Sequence, residues 1–259
     1  MTKPTPVSIS IATWNIHKGF SQFNRRMVVH ELRDRLRALS ADIMFLQEVQ
    51  GLHLRHETTH LNWPARPQHE FLAEDVWNHA AYGRNMVYDH GHHGNAILSR
   101  FPILQQYNQD VTQLRFEKRG LLHCALDVSS RFPGLGAPLH CVCVHLSLFG
   151  RSRRRQMEAL AARIEEVVPP HAPLLIAGDF NDWRNAAHDV LATRLGLTEV
   201  FTTGGARPSR SFPAALPLFR LDRIYLRGLA VAATALHSGS PWSTISDHAA
   251  LSAQLIAAS

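Results

Sequence analysis

The stretch Leu139 to Leu148 reads L-H-C-V-C-V-H-L-S-L. In an extended chain, Cys141, Cys143, His145 and Ser147 point to one side, and Val142, Val144, Leu146 and Leu148 to the other. Both sides are largely apolar, so this strand is central and needs cover on both faces. The segments around it fit that demand. Val7 to Trp14 alternates apolar with small polar residues and reads as a strand. Residues 24–39 carry Val29, Leu32, Leu36 and Leu39 on one stripe, with Arg33, Arg35 and Arg37 away from it, which predicts an amphipathic helix. Ile43 to Leu46 is a short buried strand ending in Gln47-Glu48. Residues 51–70 have no period and read as a long loop, a kind of segment that is often functional in compact domains.

Further strands are expected at Ala96-Ile97-Leu98, Leu121 to Val128, Leu174 to Asp179, Leu221 to Leu226 and Ala250 to Ile256. A helix over 153–168 presents Met157, Leu160, Ala161, Ile164 and Val168 at helical spacing and stops at Pro169-Pro170. No Pro- or Gly-rich linker divides the chain. Residues 1–259 therefore read as one α/β domain with roughly ten strands and a few helices.

A chain of 259 residues buries enough surface to fold without disulfides or a structural metal. No apolar run reaches the length of a membrane span. The start, Met1 to Pro6, lacks the apolar core of a signal peptide. There are three cysteines, an odd number, and Cys141 and Cys143 sit too close to bridge easily. This predicts buried thiols in a reducing cytoplasm. The chain is expected to be a monomer. Lys and Arg total 27 against 21 Asp and Glu, a net charge of +6. That suits an anionic partner, whether nucleic acid, phospholipid headgroup or small phosphate.

Several buried strands end or begin in residues a core does not choose: Asn15, Glu48, His145, Asp179 with Asn181, Asp222, and Asp247-His248. Any one of them alone is an ordinary turn or strand cap. Together they suit metal-assisted phosphoester cleavage, and strand ends from distant parts of a chain can meet on one rim.

The motifs W-N-I at 14–16, Q-E-V at 47–49, G-D-F-N-D at 178–182, L-D-R-I-Y at 221–225 and S-D-H at 246–248 occur in this order. The set, spanning residues 9–256, resembles the endonuclease/exonuclease/phosphatase superfamily. That resemblance implies a two-sheet β-sandwich of mixed strands flanked by helices, a four-layer α/β/β/α arrangement with its site at one end. It implies hydrolysis of a phosphodiester, nuclease-like or on a lipid or small molecule, with Mg²⁺ or Mn²⁺.

By resemblance, Glu48, Asn15 and Asp247 are the metal set, and Asp179 orients or deprotonates the attacking water. Asn181, extended two residues beyond Asp179, donates to a phosphate oxygen. His248 lies over the scissile phosphate, with Asp222 fixing its tautomer and favouring its protonated form. Arg119, in E-K-R-G, matches a phosphate-facing position, and His17 is a further phosphate candidate. His145 in V-H-L resembles the deoxyribonuclease, sphingomyelinase and 5-phosphatase branches. The abasic-site branch has an acid where this chain has His17, and lacks the histidine at 145. N-I-H-K-G-F, Y-G-R-N, G-H-H-G-N-A-I-L-S-R and E-K-R-G resemble a small bacterial subgroup of stand-alone hydrolase-like proteins.

The contrasting reading is a catalytically silent module that docks on an anionic polymer or membrane surface. A silent member is expected to have lost part of the catalytic set, and every position here is filled. Among other residues, His90, His92 and His93 read as a substrate-facing loop or solvated turn, and His53, His56 and His60 as exposed. The run Arg151, Arg153, Arg154 and Arg155 reads either as a phosphate- or lipid-binding patch or as a solvated helix start. Arg25-Arg26 carries a weaker form of the same hint. Trp77 is a core residue, whereas Trp63 and Trp242 are rim candidates.

Overall fold

The computed structural model describes residues 7–185, 189–205 and 208–258, so the start at Met1 to Pro6 lies outside the described residues. The strands are β1 Ser8–Asn15, β2 Ile43–His53, β3 His79–Tyr88, β4 Gly91–Ser99, β5 Ile103–Asp110 and β6 Gly120–Leu126, followed by β7 Leu139–His145, β8 Leu174–Asp179, β9 Thr198–Glu199, β10 Asp222–Arg227, β11 Leu229–His237 and β12 Ala250–Ala257. Among the described residues four α-helices accompany them: α1 Val29–Leu39, α2 Leu54–Thr59, α3 Gln68–Ala73 and α4 Gly150–Val167. One sheet has the order β11-β12-β1-β2-β4-β3, the other β5-β6-β7-β8-β10-β9.

The two-faced character of β7 is met as its alternation requires. Cys141 and Cys143 lie in the core between the sheets, with Ile11, Phe45 and Leu251 from the facing sheet. Val142 and Val144 face the other way, onto Met157, Leu160, Ala161 and Ile164 of α4. Each fully buried aliphatic side chain of that stripe contributes roughly 1.5–3 kcal/mol relative to exposure, enough to hold α4 on the sheet. On the opposite outer face, Trp14, Met44 and Leu46 pack against Val29, Leu32 and Leu36 of α1 and Leu72 of α3. The result is two mixed sheets face to face, with helices outside both.

The sequence reading needs several corrections. α1 begins at Val29 because residues 22–24 form a separate 3₁₀ turn, with Phe23 and Asn24 in left-handed conformations. β2 continues to His53 through an irregularity between Leu46 and Val49. The expected 51–70 loop contains the end of β2, all of α2 and the start of α3. The turn at Asp89-His90 leads into β4 at Gly91, so His92 and His93 lie on a strand. There are twelve named strands among the described residues, and β3, β5, β9 and β11 were not expected. β3, β5, β9 and β11 are the edges of the two sheets. Most of β5 and the alanine-rich β11 is exposed or half-buried, so neither carries a strong apolar alternation.

The strand directions bring distant residues to one end. β1 and β2 run parallel, as do β7 and β8, while β10 is antiparallel to β8 and β12 to β1. The C-terminal ends of β1, β7 and β8 therefore share a rim with the N-terminal ends of β10 and β12. In register, Asp179 has His145 on one side and Asp222 on the other.

Candidate active site

Asp179 is the centre of this rim. Its Oδ2 accepts from Asn15 Nδ2 at 3.2 Å and lies 3.5 Å from His145 Nε2 and 3.8 Å from His248 Nε2. Its Oδ1 accepts from the Asn181 backbone N–H at 2.9 Å. Burial raises the Asp179 carboxyl above the usual carboxylate range, against the opposing pull of His248. Gly178 makes the geometry possible. It has φ +145°, and a Cβ there would stand 2.0 Å from the Val144 carbonyl oxygen of β7, so a side chain would push the parallel pair apart. The expected extended path to Asn181 is not found. Asn181 turns to φ +50°, and its Nδ2 donates to the Leu146 carbonyl at 2.9 Å, which leaves its second amide hydrogen for a ligand.

Glu48 sits in the irregularity of β2 with φ +55°, which turns its side chain out of the regular alternation. Its Oε1 accepts from Asn15 Nδ2 at 3.3 Å, and Lys18 Nζ lies 2.9 Å from Oε2. Burial alone would raise this carboxyl, but the Lys18 ammonium holds it well below the usual range. Lys18 itself has φ +57° and is followed by Gly19 at φ +79°. One buried side chain from α3 ties this turn to β2: Gln68 Nε2 donates to the Lys18 carbonyl at 2.7 Å, and its Oε1 accepts from Gln50 N–H at 2.8 Å. A Cβ at Gly19 would reach within 2.4 Å of Gln68 Nε2, so the staple and the glycine are matched.

Asp247 pairs with His17, Oδ1 to Nδ1 at 3.3 Å, and this contact raises the His17 pKa despite burial. Apart from the cationic head beside each, Lys18 Nζ at Glu48 Oε2 and His17 Nδ1 at Asp247 Oδ1, neither buried carboxylate oxygen has a hydrogen-bond partner. Buried carboxylate oxygens left with only a nearby cationic head fit a hard divalent ion, which takes oxygen donors and keeps several waters. Ligand atoms of Asp179, Asp222 and His248 also come within 4.8 Å of one another. In that trio, however, Asp222 Oδ2 is already bound to His248 Nδ1 at 2.8 Å.

That Asp222–His248 contact fixes which ring nitrogen faces Asp179. Burial disfavours the imidazolium, but the charges of Asp222, Asp179 and Asp247 outweigh it and lift the His248 pKa to about 10. His145 is the opposite case. Burial, followed by the nearby Arg119, lowers its pKa to about 3, against the carboxylates of Asp179 and Glu48. At neutral pH the two histidines flanking Asp179 therefore differ in charge.

Three motif residues serve as supports. Gln47 Nε2 donates to Thr13 Oγ1 and Cys143 Sγ, both at 3.2 Å, bridging the two sheets beneath the site. Ser246 Oγ donates to the Asn15 carbonyl at 2.6 Å and accepts from His248 N–H at 3.1 Å, which locks the S-D-H turn to the end of β1. Asp182 forms ion pairs with Arg223 at 3.5 Å and Arg153 at 3.7 Å. The arginine run is thus divided: Arg153 is buried, while Arg151, Arg154 and Arg155 are exposed. Arg119 lies at the site but is engaged, by Nη2 to Glu117 at 3.1 Å and Nε to the Leu146 carbonyl at 3.3 Å.

A cavity of about 400 Å³ opens over this cluster, walled by Leu148, Trp183, Phe212, Phe219 and Leu221. Trp183, 48% exposed, directly follows G-D-F-N-D and was not anticipated from sequence. Of the expected tryptophans, Trp77 is in the core, but Trp242 packs edge-on against Trp14 and Trp63 stacks on Phe20. His53, His56 and His60 also pack as a cluster around Phe20 and Trp63, with His53 and His56 stacked at 3.4 Å.

His145→Ala should remain folded, as judged by circular dichroism and a thermal melt, but lose about 10²–10⁴-fold in rate if His145 is an acid–base or proton-positioning group. A folded variant with near-normal turnover would return His145 to a packing role.

A two-sheet sandwich with a carboxylate, histidine and asparagine cluster at one end is the architecture of metal-dependent phosphoesterases and nucleases. The chain belongs to the Endonuclease/Exonuclease/phosphatase family, whose sequence pattern matches residues 12–248. It is 47% identical over 248 residues to "Uncharacterized protein YbhP" of Escherichia coli (strain K12), with 96% of each chain covered. Among solved structures, an endonuclease/exonuclease/phosphatase from Bacteroides vulgatus superposes with a TM-score of 0.74 at 16% identity, covering 97% of this chain and 99% of that one. A mannosyl-6-phosphatase of Bacteroides thetaiotaomicron gives 0.72 at 15% identity, covering 96% of this chain and 100% of that one. No helix among the described residues is long and apolar enough to cross a membrane.

Proposed function

We propose that this chain is a divalent-metal-dependent phosphodiesterase in which water attacks phosphorus. The observation that carries the reading is the placement of Asp179 between His145 and His248, 3.5 and 3.8 Å from its Oδ2, and its sharing of Asn15 Nδ2 with Glu48. Glu48, Asn15 and Asp247 are the residues that would hold Mg²⁺ or Mn²⁺. When bound, the ion supplies Lewis-acid polarisation of a phosphoryl oxygen and acidifies water.

The chain's own residues supply the rest. Asp179, made more basic by burial, orients the attacking water and takes its proton. His248, held by Asp222, presents Nε2–H to the charge that builds on the phosphoryl oxygens, and the free amide hydrogen of Asn181 adds a second donor. His145 orients Asp179 from the other side, and Arg119 adds positive charge. A diester, rather than a monoester, is supported by shape. Glu48, Arg119 and His145 line two adjoining cavities, so a phosphate at that ridge has room for a substituent on either side. Three buried free cysteines support work in a reducing compartment such as the cytoplasm.

A screen with Mg²⁺ or Mn²⁺ over nucleic acids, phospholipids, inositol phosphates, bis(4-nitrophenyl) phosphate and 4-nitrophenyl phosphate tests this. Diester turnover that is lost in EDTA and exceeds monoester turnover is the expected result. Preference for the monoester would overturn the diester assignment, and no metal-dependent turnover on any substrate would overturn the enzyme reading.

A further inference from the structure

The two cavities that meet at Glu48, Arg119 and His145 differ in chemistry. Away from that ridge, where Leu148 is also shared, and from the catalytic groups, the first is walled by Trp183, Phe212, Phe219 and Leu221, all apolar. The second, about 410 Å³, adds Lys18, Lys118, His93, Met86, Phe116 and Phe149.

Its two carboxylates are already engaged. Glu48 is paired with Lys18, and Glu117 binds Arg119 and the Leu148 N–H and receives the Ser147 hydroxyl. Lys118 is half-buried and forms no ion pair among the described residues. It is therefore the one lysine of this lobe whose charge is not already met by a carboxylate. Beside it, Phe116 and Phe149 meet edge to face at 5.8 Å and are 68% and 50% exposed, an arrangement that leaves ring surface to a ligand. His93 Nδ1 is buried without a hydrogen-bond partner. Burial and the nearby Lys18 lower its pKa to about 4, so it stays neutral and can exchange a hydrogen bond with a ligand hydroxyl or ether.

We propose that the substrate is an asymmetric phosphodiester lying across the ridge. Its apolar or aromatic ester arm occupies the Trp183–Phe219 lobe. Its other arm carries a second phosphoryl group, which is held by Lys118 in the Phe116–Phe149 lobe. The assignment rests on the phosphodiesterase reading and specifies the two arms that reading leaves open. A charged second arm placed in the first lobe would be desolvated against four apolar side chains, where the one cation outside the ridge, His248, is already bound to Asp222 and aimed at the scissile phosphate, whereas the second lobe offers the Lys118 ammonium to it.

Two probes isolate the second phosphate: thymidine 5′-(4-nitrophenyl phosphate), and the same molecule bearing a 3′-phosphate. Both release nitrophenolate, so a single readout serves. One charge-assisted contact predicts a KM about tenfold lower for the 3′-phosphorylated probe. Lys118→Ala should reduce that ratio to near one, and Lys118→Glu should invert it. Trp183→Ala should raise KM for both probes and keep their ratio. Each variant is accepted only with a wild-type thermal melt.

A wild-type ratio near one, or a ratio that survives Lys118→Glu, would overturn the subsite while leaving the phosphodiesterase intact. If neither probe nor bis(4-nitrophenyl) phosphate is hydrolysed with Mg²⁺ or Mn²⁺, the phosphodiesterase reading fails, and the subsite fails with it. Running the same Lys118 variants on short oligonucleotides and on glycerophosphoinositol phosphates then separates the two sources of such a phosphate.

Discussion

Glu48→Gln should lower kcat/KM on the order of 10³-fold and raise the metal concentration for half-maximal activity at least about tenfold, because a metal's several kcal/mol of charge stabilisation is lost along with its anchor. The substitution keeps the shape of the side chain and an oxygen that can still accept from Asn15 Nδ2, the 3.3 Å contact of the native protein. What it removes is the charge that Lys18 now balances at 2.9 Å. The left-handed backbone at residue 48 is unchanged in kind, so the fold should persist. Metal titration of activity, together with calorimetric titration of the ion into protein without substrate, measures both effects. Unaltered metal affinity in the variant would move the ion away from Glu48, and the Asp179–Asp222–His248 group would be the next place to look.

Asp222→Asn and His248→Ala should each cost about 10²–10⁴-fold in turnover, and the double variant little more than the worse single one, because two groups acting as a unit lose their joint effect only once. The pH dependence gives an independent check. The His248 pKa is raised to about 10: burial lowers it, and the carboxylates of Asp222, Asp179 and Asp247 more than offset that. A pKa raised on folding gives stability that is complete below the unfolded value of about 6.5 and is lost as pH climbs through the folded value. Stability from this group should therefore decline between about pH 6.5 and about pH 10. Asp222→Asn should pull the upper limb of both the stability and the rate profile to lower pH. ¹⁵N chemical shifts of the His248 ring across pH, alongside the four-variant cycle, test this. Strictly additive losses, or an upper limb that does not move, would separate the two residues.

Much of the site was legible because chemistry-bearing residues interrupt apolar strands at their ends. Asp179, Asp222 and His248 stand out against Leu174–Ala177, Ile224–Leu226 and Ala249–Leu251 in any reading of the chain. Several neighbours were misjudged because their roles depend on contacts across large sequence separations. Gln68 fell in a stretch without period, yet it holds the Lys18 turn against β2. Trp63 and Trp242 are half-buried and pack on aromatic neighbours, while the more exposed Trp183 gave no signal of its place at the site. Arg153 read as one of four equivalent cations, but it alone is drawn inward by Asp182.

The sequence by itself determined which residues are buried on which face, since alternation and helical spacing are local and each apolar stripe must find cover. It also determined the polar groups at the strand ends, because a carboxylate beside an apolar strand is costly to bury unless it is paired or meets an ion. The tertiary structure alone decided the strand order, the edge strands, the left-handed backbone that turns Glu48 toward Asn15, and the meeting of two cavities at Glu48, Arg119 and His145. Those features arise where residues far apart in the chain pair in register, and a one-residue shift of register reverses every side chain. Nothing local records which register is taken, and only the packed sheets fix it.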